Sequence, residues 1–113
     1  MKRKGTKIYQ SLVDQYCRTR HRVEQRQADI DRYEADIERA KNKFDSLPVN
    51  LQEDEDIKKW YDGYTGTLNC FSSMTRHNQL NDKEDMEESG DMLVDEYEED
   101  LDVLYSSYDN FLF

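Results

Sequence analysis

Two cysteines and two histidines are the side chains of this sequence that best suit zinc. Cys17 and His21 lie four residues apart, so a helix would place both on one face at a spacing that can hold the ion. Cys70 and His77 could complete four ligands, but they lie about 10 Å apart along a straight helix, which is too far for one ion. We therefore predict no metal site and no cofactor. We interpret Cys17 and Cys70 as free thiols in a reducing compartment.

Carboxylates are the most abundant groups that could act as a general acid or base, because the chain has 26 Asp and Glu residues. Catalysis would require a pocket that desolvates a carboxylate, whereas a charged helix normally exposes its carboxylates to water. The sequence lacks a Gly-rich phosphate loop, a nucleophile elbow and a His-Glu-x-x-His motif. The sequence therefore predicts a protein that is not an enzyme.

Charge is unevenly distributed along the chain. The net charge is −10, but residues 1–45 carry a balance of +4 and residues 46–113 a balance of −14. The basic residues near the N-terminus could bind phosphate groups: Lys2, Arg3, Lys4, Lys7, Arg18, Arg20, His21, Arg22 and Arg26. We interpret them instead as partners of the acidic remainder, because the whole protein is strongly negative and repels nucleic acid. We expect no direct binding of nucleic acid.

A heptad repeat in the first half of the chain predicts the longest element, an α-helix over about residues 7–47. Thr6 is a plausible N-cap, and Pro48 disfavours a helical conformation at the residue before it. Thr19 and Arg26 are polar positions within the repeat. The apolar residues of this seam are Tyr9, Leu12, Tyr16, Val23, Ile30, Tyr33, Ile37 and Phe44.

Two further helices are predicted, over about residues 52–76 and 82–112. Pairs that resemble capping boxes, Asn50 with Glu53 and Asn81 with Glu84, precede them. The polar stretch 76–82 is predicted to be a loop, and a break is expected at residues 89–90. We interpret the aromatic residues of the second helix as core that packs on the first helix, with a contact patch for a target as the alternative. These aromatic residues are Trp60, Tyr61, Tyr64 and Phe71.

The assembly that follows is an elongated, all-α three-helix bundle that forms one domain over residues 1–113. Because the first helix is longer than either predicted partner, part of its seam would be uncovered, and this predicts a homodimer through that helix. The sequence has no apolar run long enough to cross a bilayer and no secretory signal, so we expect a cytoplasmic protein.

Acidic residues of the third helix are the strongest functional indication. Carboxylates along a rigid helix can imitate the phosphates of a nucleic acid, and in size and charge the chain resembles small acidic viral antagonists. The resemblance implies a protein that binds and inhibits a host defence protein or a nucleic-acid-handling protein. The predicted partner-binding face consists of Asp91, Asp95, Glu96, Glu98, Glu99 and Asp102.

Two alternatives stay open. The seam could serve a coiled-coil structural or assembly factor, such as a scaffold or a chaperone. The C-terminal residues Phe111, Leu112 and Phe113 follow an acidic run, and this ending is similar to the tails by which T4-type phage proteins dock on a sliding clamp. That resemblance implies an adaptor that binds a clamp or a polymerase through its tail.

Overall fold

The computed structural model describes residues 3–111, with side chains for residues 3–108. Within that range the chain forms four helices and no strand: α1 (Lys7–Asp45), α2 (Val49–Gln52), α3 (Glu55–Tyr97) and α4 (Leu101–Phe111). The predicted all-α class and the long N-terminal helix are confirmed. None of the helices described is long and apolar enough to cross a membrane.

Side chains that cap the helices explain where they begin. Thr6 is the N-cap of α1, as predicted, because its Oγ1 accepts a hydrogen bond from the backbone N–H of Tyr9 at 3.1 Å. The predicted Asn50–Glu53 capping box is wrong. Asn50 lies inside the single turn of α2, and Asp54 caps α3 by accepting hydrogen bonds from the N–H groups of Asp56 and Ile57.

The predicted loop at 76–82 and the predicted break at residues 89–90 are both wrong, since α3 is continuous from Glu55 to Tyr97. Gln79 in the first segment and Ser89 in the second are polar residues that are buried and have hydrogen-bond partners. Gln79 donates a hydrogen bond to the carbonyl of Val23, and the hydroxyl of Ser89 bonds to backbone carbonyls of its own preceding turn. Asn81 and Glu84 therefore lie within a helix and do not begin one.

The break after α3 occurs instead at Glu98, which has a φ of 55°. The N–H of Glu98 donates to the carbonyl of Val94 at 3.1 Å, the pattern of a left-handed C-cap. Asp100 then caps α4, because its side chain accepts hydrogen bonds from the N–H groups of Asp102 and Val103. The short link thus separates α4 from α3, whereas the sequence pattern predicted one helix across both.

The chain divides into two compact units, each containing part of α1 and part of α3. Unit 1 consists of Met1–Gln25 and Gln79–Phe113, and unit 2 consists of Arg26–Asn78. That residues 1–113 form a single folding domain stays a prediction.

Unit 1 has a core built from three helices. Tyr16 and Cys17 of α1 pack with Leu93 and Tyr97 of α3, and Leu101 and Leu104 of α4 pack against this cluster. Gly90 permits the close approach, because a Cβ there would lie 3.2 Å from the Tyr16 ring and 3.3 Å from Leu101. The hydrophobic effect of closing this three-helix contact is the main stabilising term in the unit.

Unit 2 has only two long helices, with α2 in the connection between them. Phe44 stacks on Tyr61 with ring centroids 4.4 Å apart, and Tyr33 contacts Phe71 at 6.0 Å. The amide of Gln52 donates to the carbonyl of Leu47 at 2.8 Å, which ties the connection together. The buried side chains described in this unit are few: Ile30, Ala40 and Ser72.

The seam of α1 is directed into the chain itself. Tyr16 and Ile30 are buried, and the other six seam residues are half-buried. The length argument for a dimer through α1 is wrong, because α3 has 43 residues against 39 in α1. The length of α1 by itself therefore gives no reason to expect a second copy.

Candidate functional site

Within unit 2, α3 carries two stripes of heptad spacing. One faces α1 and includes Tyr61, Leu68 and Ser72, which are half-buried or buried. The other is exposed, and we call it the exposed seam. Its members are spaced alternately four and three residues apart: Trp60, Tyr64, Thr67, Phe71, Met74 and Asn78. Because adjacent helical residues are about 100° apart, the exposed seam lies roughly a quarter turn from the stripe that packs on α1.

Large apolar side chains of the exposed seam contact water. The exposed fractions are 54% for Trp60, 41% for Tyr64, 46% for Phe71 and 58% for Met74. Trp60 and Tyr64 stack on each other with centroids 5.7 Å apart and planes 8° from parallel. The stacking holds both rings in one orientation without the support of a core.

The interpretation of these aromatic residues as core is wrong for three of the four. Tyr61 does pack on α1, through its stack with Phe44. Trp60, Tyr64 and Phe71 are exposed, although the Phe71 ring also contacts Tyr33 of α1. A helix can direct only one of two adjacent residues at a single neighbour, so Tyr61 in the contact with α1 leaves Trp60 outside it.

A groove of about 350 Å³ lies beside the stacked rings. One wall is formed by Trp60 and Tyr64, and the other by residues of α1: Asp36, Arg39, Ala40 and Lys43. Arg39 forms an ion pair with Asp36, and two turns earlier Arg32 pairs with Asp29 at 3.3 Å. An aromatic wall opposite a charged wall is suited to the side of an amphipathic helix.

The predicted acidic face is not one surface. Asp102 forms an ion pair with Arg20 at 3.0 Å, and Glu96 is half-buried. Glu99 is 14% exposed, with Lys4 at 2.8 Å and a hydrogen bond from the hydroxyl of Tyr9 at 2.7 Å. Asp91, Asp95 and Glu98 are exposed without an ion pair in the described structure, and Asp102 is exposed as well, so four of the six predicted residues face solvent but lie on different elements.

Glu99 and Tyr9 shift each other's titration. The hydrogen bond from Lys4, followed by that from Tyr9, lowers the pKa of Glu99 despite partial burial. Burial, then the hydrogen bond to Glu99, raises the pKa of Tyr9 to about 12. Both pKa shifts favour the arrangement in which Glu99 is ionised and Tyr9 keeps its proton. We therefore assign these two residues a structural role.

An acidic surface that the sequence reasoning missed lies on the outer side of α3 in unit 1. We call it the acidic row, and its members are Glu84, Glu88, Asp91 and Asp95. All four are exposed, and no ion pair is seen for them in the described part of the chain. The i, i+4, i+7, i+11 spacing was the available signal. The predicted break at residues 89–90 concealed it, because the row exists only on an uninterrupted helix.

Several basic residues near the N-terminus do pair with acidic residues of the same chain, as interpreted from the sequence. Arg22 lies 3.5 Å from Asp82, in addition to the Arg20–Asp102 and Lys4–Glu99 pairs. Arg18 donates a hydrogen bond to the hydroxyl of Tyr108.

The two cysteines are in different units. Cys17 is 1% exposed in unit 1, and burial raises its pKa to about 11, while Cys70 is exposed in unit 2. In the described range, no three ligand side chains are grouped so that they could hold a metal ion. Leu112 and Phe113 of the predicted docking tail lie outside the described residues. So does the side chain of Phe111, the last residue of α4.

Comparison with known proteins finds no matching family, no matching curated protein and no matching solved structure. The exposed seam and the acidic row are therefore the features from which a function can be argued.

Proposed function

We propose that this chain is a non-enzymatic protein-binding protein that pairs with an α-helix through the exposed seam. The observation that carries the proposal is the line of four large, water-exposed apolar side chains at heptad spacing. Heptad spacing is the pattern by which one helix packs on another. In the described structure of unit 2, no helix covers the exposed seam. A coiled-coil assembly factor is one member of this class.

The size of the patch supports a contact surface. If each side chain exposes about half of roughly 200 Å², the four together expose roughly 400 Å². That is the size of the largest apolar patch on a typical soluble monomer, and such patches are often functional. Apolar residues exposed elsewhere on α3, such as Leu80 and Val94, are isolated among charged positions.

Two substitutions on the same helix test the proposal. Met74 and Leu80 are 58% and 59% exposed, but only Met74 belongs to the exposed seam. A tagged chain would be used to capture proteins from a native lysate that also contains untagged copies of the chain, with mass spectrometry as the readout. We expect the wild type and Leu80→Glu to retain the same proteins, and Met74→Glu to lose them. Identical capture by all three would contradict the proposal.

The acidic row favours a second candidate function. Four carboxylates on successive turns of a rigid helix could occupy the phosphate-binding surface of another protein. We propose that such binding would inhibit a host defence protein or a nucleic-acid-handling protein, as a viral antagonist does. An exposed thiol at Cys70 is compatible with the reducing cytoplasm of a host cell as its site of action.

Neutralising the acidic row tests this second function. The variant carries Glu84→Gln, Glu88→Gln, Asp91→Asn and Asp95→Asn. A matched control removes four exposed charges from unit 2, with Glu38→Gln, Glu53→Gln, Glu55→Gln and Asp62→Asn. We expect the row variant alone to lose the captured target, and the wild-type interaction to weaken with added salt. If the control loses the target equally, net charge is responsible and the second function is wrong.

A further inference from the structure

We propose that the exposed seam pairs with the same seam of a second copy, in an antiparallel arrangement about a two-fold axis near Thr67. This inference rests on the proposed function, that the seam is a helix-pairing surface, and it names the partner. A symmetric contact of this kind requires the surface to be complementary to itself. Steric fit, the absence of charge from the exposed seam and the Asp29 and Lys43 charges of α1 each support that requirement.

Residues equidistant from Thr67 are complementary in size. Antiparallel pairing about Thr67 places Trp60 opposite Met74 of the second copy, where a thioether can contact the indole. It places Phe71 opposite Gly63, and no neighbouring side chain in the described structure lies within 4 Å of where a Cβ on Gly63 would be. Trp60 and Phe71 of one copy thus meet a flexible and a small residue of the other.

Charge within the exposed seam does not oppose the pairing. From Trp60 to Asn78 the exposed seam contains no charged residue, so no like charges of the two seams come face to face. A central contact without charges is typical of interfaces between protein chains. The glycine at position 66, also on the open side of the helix, adds no side chain that would keep the two helices apart.

The charged wall of α1 supplies a second, independent match. Asp29, Asp36 and Lys43 lie seven residues apart on one side of α1. A two-fold axis opposite Asp36 places Asp29 opposite Lys43 of the second copy, so that each dimer gains two opposite-charge pairs. The two Asp36 carboxylates meet at the axis, where each keeps Arg39 of its own chain as an ion-pair partner. The sequence order in this wall, with the acid and the base equally far from the centre, is the order that an antiparallel pair requires.

One axis can satisfy both helices. The contacts of Tyr33 with Phe71 and of Phe44 with Tyr61 place Thr67 at the level of residues 37–38 of α1. That level is within about 3 Å of Asp36 along the helix. The self-complementary centres of α1 and α3 therefore coincide, and two copies of unit 2 would form a four-helix arrangement.

The expected dimer is weak. The seam supplies roughly 400 Å² of apolar surface per copy, or ~800 Å² in all, and the α1 wall and the intervening small residues extend the contact toward the ~1,200 Å² lower limit of stable interfaces. We expect dissociation constants on the order of 1–100 μM. The single tryptophan of the chain lies in the contact, so its emission reports association.

The test uses the full chain and four variants, with sedimentation equilibrium and Trp60 emission over roughly 1–300 μM. For the wild type we expect the mass to double and the emission to shift to shorter wavelength with one common midpoint. Met74→Glu should weaken dimerisation at least ~10-fold, and Leu80→Glu should leave it unchanged. Circular dichroism at each concentration verifies that the variants keep their helices.

Charge reversal tests the symmetry of the contact. Lys43→Asp should weaken the dimer, since it places two carboxylates opposite each other, and the double variant Asp29→Lys with Lys43→Asp should restore it. A wild-type chain that stays monomeric throughout, or a dimer that Met74→Glu does not weaken, would overturn the inference. If the chain is monomeric but captures another protein through a Met74-dependent contact, the proposed function stands and the self-pairing falls. If no association depends on the seam, both fall.

Discussion

Unit 1 and unit 2 share the same two long helices, but only unit 1 has a third helix packed against them. In unit 1, Leu101 of α4 contacts the point where Gly90 meets Tyr16, and most of the fully buried side chains of the described chain belong to this unit. In unit 2 the exposed seam of α3 has no helix on it in the described structure. Two helices of this composition thus bury only the faces that they turn toward each other. A third helix is needed to cover another face of the pair.

The attachment of α4 shows what such a third helix requires. Tyr105 donates a hydrogen bond to Glu24, and Tyr108 donates one to Asp14, each at 2.8 Å. Arg20 lies over the Tyr105 ring, with 4.3 Å from its guanidinium carbon to the ring centroid. Tyrosines let an acidic helix attach to α1 with apolar rings and few additional charges. A partner of unit 2 would have to combine an apolar stripe with charges that match Asp29 and Lys43.

The largest difference between the units is expected in thiol chemistry. Cys17 is buried in unit 1 with a pKa raised to about 11, and Cys70 is exposed in unit 2. Because the thiolate is the reactive species, Cys70 should react with a maleimide or a disulfide reagent at least ~100 times faster in the native protein. Mass spectrometry of each labelled peptide over time measures the two rates. Equal rates would mean that the core of unit 1 opens freely.

Truncating one residue in each unit should change the free energy of unfolding very differently. Leu93 is 0% exposed in unit 1, and Leu93→Ala should cost about 2–5 kcal/mol through lost burial and a cavity. Met74→Ala in unit 2 should cost less than about 1 kcal/mol at concentrations where the chain is monomeric. Urea denaturation followed by circular dichroism gives both values. A cost for Met74→Ala similar to that for Leu93→Ala would show that the exposed seam is buried in the monomer.

Two glycines provide a comparison at the level of single atoms. Gly90 in unit 1 faces the Tyr16 ring and Leu101, so Gly90→Val should destabilise the fold by about 1–3 kcal/mol through overpacking. Gly66 in unit 2 faces open space, and Gly66→Val should change stability by no more than about 0.5 kcal/mol. Thermal unfolding of the two variants measures the difference. A tolerated valine at position 90 would refute the close contact of three helices.

The smallest expected effect is a dependence on pH that belongs to unit 1. Since the folded pKa of Glu99 is lowered, its contribution to stability is full above its ordinary pKa of 4.5 and disappears as the pH falls through the lower folded value. Glu99→Gln should therefore flatten the loss of stability below about pH 5, whereas Glu88→Gln, on the exposed acidic row, should not. Denaturation at a series of pH values measures this. Identical acid profiles for the wild type and Glu99→Gln would exclude the Lys4–Glu99–Tyr9 contact.

Local signals predicted the parts of the fold that depend on neighbouring residues. The heptad repeat and Thr6 predicted both ends of α1 to within two residues. A helix cap and a heptad period can each be recognised from residues that are close in sequence. The continuity of α3 was not readable. Gln79 resembles a loop residue until its hydrogen bond to Val23, 56 positions away, is known. The end of α3 could not be predicted either, because a glutamate with a positive φ is uncommon and nothing in the sequence indicates it.

The candidate surface was only partly predictable for a different reason. Trp60 and Tyr61 are adjacent, and each belongs to a stripe at heptad spacing that contains further apolar residues. Hydrophobicity alone predicts that both are buried, and only the packing on α1 decides which one is. The sequence alone leaves an aromatic contact patch open as the alternative to core.

Hydrogen exchange of the wild-type chain, measured by mass spectrometry at dilute and at concentrated protein, most directly tests the claim that unit 1 is closed and unit 2 is open to a partner. Exchange reports local opening in each segment separately. We predict that amides of residues 60–74 become better protected as the concentration rises, while those of residues 86–97 are equally protected at both concentrations. Protection in residues 60–74 that is already high at dilute protein and does not change with concentration would contradict the account.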